Sequence, residues 1–120
     1  MEESRWADIY RHLKSEGFDV YSPNQKTGLC LTPYVVVKSR EVIDTGVISS
    51  VQALYDILCY IPKDSFSKVE IFVAEVSRSM DKMFPLIRPV NTQTEPFYDD
   101  TVQGYMVSIQ YLNYRKMIRR

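Results

Sequence analysis

Apolar residues recur at intervals of three and four through Ser65–Phe84, SFSKVEIFVAEVSRSMDKMF. Val69, Phe72, Val73, Val76, Met80, Met83 and Phe84 share one stripe, and Lys68, Glu75, Arg78, Ser79 and Lys82 fall largely on the other side. The spacing predicts one amphipathic helix about 30 Å long, at ~1.5 Å per residue. Ser67 and Glu70 have capping-box spacing, in which each side chain satisfies a free backbone N–H at the helix start. Pro62 and Pro85 punctuate the two ends. A helix of this length needs a partner to cover its stripe, and the flanking segments are strand-like.

The rest of the chain divides by the same reading. Trp6, Ile9, Tyr10 and Leu13 form a second helical stripe, predicting a helix over Glu2–Glu16 with Ser4 as its cap and Gly17 as its stop. Glu2 and Glu3 suit the positive end of its dipole. Phe18–Ser22 alternates as a short strand, and Pro23, Asn24 and Gly28 bracket a loop. Pro33 opens the β-rich run YVVVK at Tyr34–Lys38, Ser39–Asp44 extends or bends it, and Thr45-Gly46 reads as a turn. Val47–Ile61 fits both periods: Val51, Leu54, Tyr55 and Leu58 suit a helix, whereas Val51, Ala53, Tyr55, Ile57, Cys59 and Ile61 suit a strand. The β-branched and aromatic end YDILCYIP, and the need for a sheet beneath the long helix, favour a strand.

Leu86–Val90 is a short run broken by Pro89. Asn91–Asp100, NTQTEPFYDD, is polar and predicts a surface loop, in which Phe97 and Tyr98 either plug back onto the core or face a partner. Val102–Tyr114 is the clearest strand, with Tyr105, Val107, Ile109 and Tyr111 on one face and Gly104, Met106, Ser108, Gln110, Leu112 and Tyr114 on the other. At ~3.3 Å per residue it spans about 40 Å, enough to project beyond a small body. It ends in the basic residues Arg115, Lys116, Arg119 and Arg120. The elements predict an α+β fold: an antiparallel or mixed sheet of about four to five strands, covered by a long central helix and an N-terminal helix. The 120 residues suit one domain over 1–120.

Composition narrows the function. Fifteen basic and fifteen acidic side chains give a formal net charge of zero, so specific nucleic-acid binding by a strongly basic domain is not expected. No apolar run approaches the ~20 residues of a membrane span. The acidic start is unlike a signal peptide, and a cytoplasmic protein with reduced thiols is expected. Cys30 and Cys59 have no CxxC spacing, and one His cannot complete a zinc site with them, so buried free thiols are expected. Asp99-Asp100 is a lone acidic pair, too little for a metal site. His12 has no second His and no Ser or Cys motif beside it, and is expected to be structural. The four glycines form no phosphate loop. No catalytic residue, cofactor or metal is expected.

Four stretches together resemble the tail terminator, or tail completion, proteins of long-tailed phages and prophages. They are Trp6-Ala7-Asp8-Ile9, YDILCYIPKDSFSKVE at 55–70, MDKMFPLIRPV at 80–90 and TEPFYDDTVQGYMVSIQYLNYRK at 94–116. In that family the strand before the long helix ends in a Tyr-x-Pro-like step, matched by Tyr60, Ile61 and Pro62. A tyrosine-rich last strand ends in an Asn-x-Arg-like tail, matched by Asn113, Tyr114 and Arg115. The likeness runs over nearly the whole chain, without a short invariant motif.

The resemblance implies a non-enzymatic virion protein made in the bacterial host cytoplasm and carried in the tail. It implies a homo-oligomer, a hexameric ring, whose partners are the tail-tube protein and a head connector or neck protein. Phe97, Tyr98, Arg115, Lys116, Arg119 and Arg120 are the expected assembly interface, because a ring needs two dissimilar patches. Two other readings are another head–tail joining protein and a small cytoplasmic hydrolase or binding protein using His12 with a carboxylate.

Overall fold

The structure, a computed structural model, describes residues 5–44 and 50–116. Helix α1 (Trp6–Ser15) is followed by strands β1 (Val20–Tyr21), β2 (Tyr34–Asp44) and β3 (Ser50–Pro62). Helix α2 (Val69–Met80) then leads to β4 (Arg88–Gln93), β5 (Phe97–Asp99) and β6 (Gly104–Lys116). The strand order is β1-β2-β3-β6-β4, with β5 also paired to β6. The β1–β2 pair runs parallel and the other pairs antiparallel, which makes the sheet mixed. The fold is therefore α+β, with a long and an N-terminal helix on one sheet.

Strand alternation sorts the residues onto two faces. Val35, Val37, Ala53, Tyr55, Ile57, Cys59, Ile61, Val107, Ile109 and Tyr111 are buried beneath Ile9 and Leu13 of α1 and Val69, Val73, Val76 and Met80 of α2. Burying each such aliphatic side chain stabilises the fold by about 1.5–3 kcal/mol before ordering entropy is counted. The opposite face carries a smaller cluster of Cys30, Tyr34 and Val36, with Tyr21, Leu58, Tyr60 and Val102 against it. The Cys30 N–H donates to the Val102 carbonyl at 2.7 Å, tying two loops over this cluster. The backbone of this face is held by the β3–β6 ladder, unbroken from Ser50↔Lys116 to Pro62↔Gly104.

The long helical stripe is regular only in its middle. Lys63–Lys68 and Asp81–Met83 are 3₁₀ turns flanking α2. Ser65 sits at φ −121°, ψ 33°, off helical geometry, so regular winding starts at Val69, the first buried residue of the stripe. The capping box does not form: Lys68 is the N-cap, without a side-chain hydrogen bond, and Ser67 lies in the preceding turn. At the other end Phe84 is extended, as the residue before a proline tends to be.

Val47–Ile61 is resolved in favour of the strand, observed as β3 from Ser50. The predicted surface loop at 91–100 is instead mostly strand. β4 continues to Gln93 and β5 takes Phe97–Asp99, because β6 has a second edge whose backbone groups need partners. Helix α1 starts at Trp6, and Glu2, Glu3 and Ser4 lie outside the described residues, as does the Thr45-Gly46 turn. Cys30 and Cys59 are buried free thiols on opposite faces of the sheet. Among the described residues no helix is long and apolar enough to cross a membrane.

Candidate functional site

The expected aromatic patch lies on the β5–β6 edge. Register places Phe97 beside Met106 and Tyr98 beside Tyr105. Adjacent strand residues point to opposite faces, so the two aromatics separate. The Tyr98 ring packs edge-on against Tyr105 at 5.4 Å, and Phe66 packs on Tyr105 from the α2 side at 4.7 Å. Phe97 gains no such cover and is 60% exposed, against 39% for Tyr98. Neither residue is a core plug: Tyr98 is half held and Phe97 stands free. The turn after β5 is fixed by Asp99, whose Oδ1 accepts from the Thr101 N–H at 3.0 Å and from Thr101 Oγ1 at 2.6 Å. Asp99 is thus used locally, and Glu95 and Asp100 remain as exposed acids beside Phe97. Among the described residues no group of three His, Cys, Asp or Glu side chains could hold a metal ion.

The basic end lies at the other extremity of β6. Arg115 and Lys116 occupy its last two positions, opposite Val51 and Ser50 of β3. Arg119 and Arg120 lie outside the described residues. Next to this end is a groove of about 350 Å³ lined by Pro85, Leu86, Arg88 and Asn113. Sequence reasoning did not find it as a site. Asn113 is 2% exposed. Its Nδ2 donates to the Leu86 carbonyl at 2.7 Å, and this fixes which way the amide points. Its Oδ1 is buried and makes no hydrogen bond. Leaving such an acceptor unmatched costs about 1–3 kcal/mol. Leu86 is 42% exposed, and the Arg88 guanidinium lies 5.6 Å from the centre of the ring of Phe84, which is 60% exposed. One signal was available: Asn113 continues the series Tyr105, Val107, Ile109, Tyr111, a polar residue where the pattern asks for an apolar one.

His12 belongs to a clamp between the helices. Its Nε2 lies 2.7 Å from the Ser79 carbonyl, which can only accept, so Nε2 carries the proton. Ser79 Oγ donates to Glu16 Oε1 at 3.0 Å, and Lys82 Nζ donates to the same oxygen at 2.8 Å. The Lys82 and Ser79 hydrogen bonds hold the Glu16 carboxyl below its ordinary range. An open cleft of about 640 Å³ adjoins Glu16, Ser79 and Lys82. His12 and Ser79 are close, at 3.2 Å from Nε2 to Oγ, but both groups are committed as donors elsewhere. In this arrangement His12 has no lone pair facing the Ser79 hydroxyl, as a base activating a nucleophile requires. The thiols are equally unsuited: burial raises Cys30, and pushes Cys59 up to about 12.

No family model matches the chain, and no curated protein does. Solved structures do, 23 chains in all. One of them superposes with a TM-score of 0.52 at 15% identity, over 95% of this chain and 97% of its own length. At that identity the likeness shows the α+β fold and nothing about activity.

Proposed function

We propose that this chain is a non-enzymatic virion assembly protein of the tail-terminator kind. It caps the growing tail tube as a ring of its own copies, ends addition of tube subunits, and presents a surface to the head connector. The sequence resemblance over nearly the whole chain motivates the reading. The observation that carries it is the exposed aromatic edge, where Phe97 and Tyr98 stand out of a short strand with an open outer side. Aromatic side chains of this kind anchor protein contacts, and each copy in a stable ring buries on the order of 800 Å² per contact. The balanced net charge limits repulsion among copies.

The test uses tail tubes grown with and without the protein. Wild type holds the tubes at a fixed length. Phe97→Ala combined with Tyr98→Ala folds normally and caps poorly. Equal capping by this variant would remove the aromatic edge from the interface. Reversing Arg115 and Lys116 weakens capping more at low salt than at high salt, since charge–charge interactions in water are screened over ~10 Å at 0.1 M.

A further inference from the structure

We propose that successive copies of this chain join by seating the acidic, aromatic 95–100 tip of one copy in the Asn113 groove of the next. The inference rests on the homo-oligomer reading above and names its contact. The groove presents two features together: apolar walls from Pro85 and Leu86, and a cation in Arg88. An occupant that fits both has an apolar side chain and a carboxylate. The tip carries each of them. Phe97 is exposed, and Glu95 and Asp100 are exposed acids on either side of it.

The charges of the two patches are opposite. The tip, Glu95–Asp100, contains three acids and no base. The groove carries Arg88, and β6 continues past Asn113 into Arg115 and Lys116. The contact is between copies, because a chain's own tip lies too far away. Phe97 pairs with Met106, so seven positions of β6, or about 23 Å, separate the tip from Asn113. Each copy therefore owns one tip and one groove, the head-to-tail arrangement from which rings close.

Charge reversal tests the contact, read by sedimentation velocity at rising concentration. Arg88 and Asp100 are both exposed, so Arg88→Glu and Asp100→Lys leave the melting temperature within a few degrees of wild type. Wild type associates, and each single variant associates at least tenfold more weakly. An equimolar mixture of the two variants associates again. In the mixture, the carboxylate introduced into the groove of one variant meets the ammonium introduced into the tip of the other, while the alternate contact keeps Arg88 and Asp100. Single variants that associate like wild type, or a mixture that stays as weak as its components, overturn the proposal. A wild type that remains monomeric at millimolar concentration overturns it too, unless it assembles at tube ends, where the same variants are then compared. Tube capping separates the two readings. Capping that is intact in wild type and equally intact in both variants removes the contact and leaves the terminator function standing. Association that follows the charges in a protein that does not cap keeps the contact and removes the function.

Discussion

Single residues carry the sharpest tests of the fold. Val76 is fully buried in the middle of α2, facing the sheet. Val76→Asp places an unpaired carboxylate there and costs about 4 kcal/mol or more. A scan of thermal unfolding should show a fall of more than about 10 °C for a chain of this size. Gly104 is confined differently: an added Cβ would lie 2.9 Å from both the Cys30 Cβ and the Ile61 carbonyl oxygen. Gly104→Ala should cost about 1–3 kcal/mol, measured by urea unfolding. Burial also makes stability fall at high pH. Cys59 is pushed from 9.0 up to about 12, and Tyr111 from 10.0 up to about 12, by desolvation first in both cases. Between these values the folded chain keeps protons that the unfolded chain has released, so stability is full below pH 9 and declines as pH rises towards 12. The urea midpoint at about pH 10.5 should lie below that at about pH 8, and a midpoint that stays level would count against both burials. The buried stripe residues were legible in the sequence, because period alone identifies them. Asn113 was visible as an exception to its strand, but its unmatched oxygen depends on the Leu86 carbonyl, a contact made by a residue 27 positions away.

At the scale of elements, the type of the long elements was legible and their boundaries were not. α2 and β6 follow from periodicity because each buries a full face, whereas β3 fits both periods and is read as a strand from its β-branched and aromatic end and the need for a sheet beneath the long helix. The ends of the long helix misled: Phe84 closes the predicted stripe and Phe66 lies within the predicted helix, yet the chain leaves helical geometry at Ser65 and Phe84. Their apolar character serves the surface, where both are exposed. β4 and β5 were hidden in a polar stretch because edge strands satisfy their partner through the backbone and bury few side chains. The helix clamp was likewise unreadable, since His12 and Ser79 stand 67 positions apart. It gives a prediction of its own. His12→Ala removes the bond to the Ser79 carbonyl, lowers stability by about 1 kcal/mol, and leaves any hydrolytic assay at background. A turnover that wild type shows and His12→Ala loses, with the fold intact, would transfer this protein to the hydrolase reading.

At the scale of the whole molecule, the α+β body positions two unlike patches along one edge of the sheet. The long β6 separates them, with the aromatic acidic tip at one end and the Asn113 groove with its basic neighbours at the other. Their presence on one strand lets a chain with no net charge carry opposed charges for the proposed head-to-tail contact. The function proposed for that arrangement, ending the growth of a tail tube, is read most directly from tube length. Tail-tube protein is polymerised with increasing wild-type protein, and lengths are measured by electron microscopy. A narrow length distribution with the protein seated at tube ends is the predicted result. Tubes that stay as long and as varied as those grown alone would contradict the terminator assignment, and would favour a different neck protein.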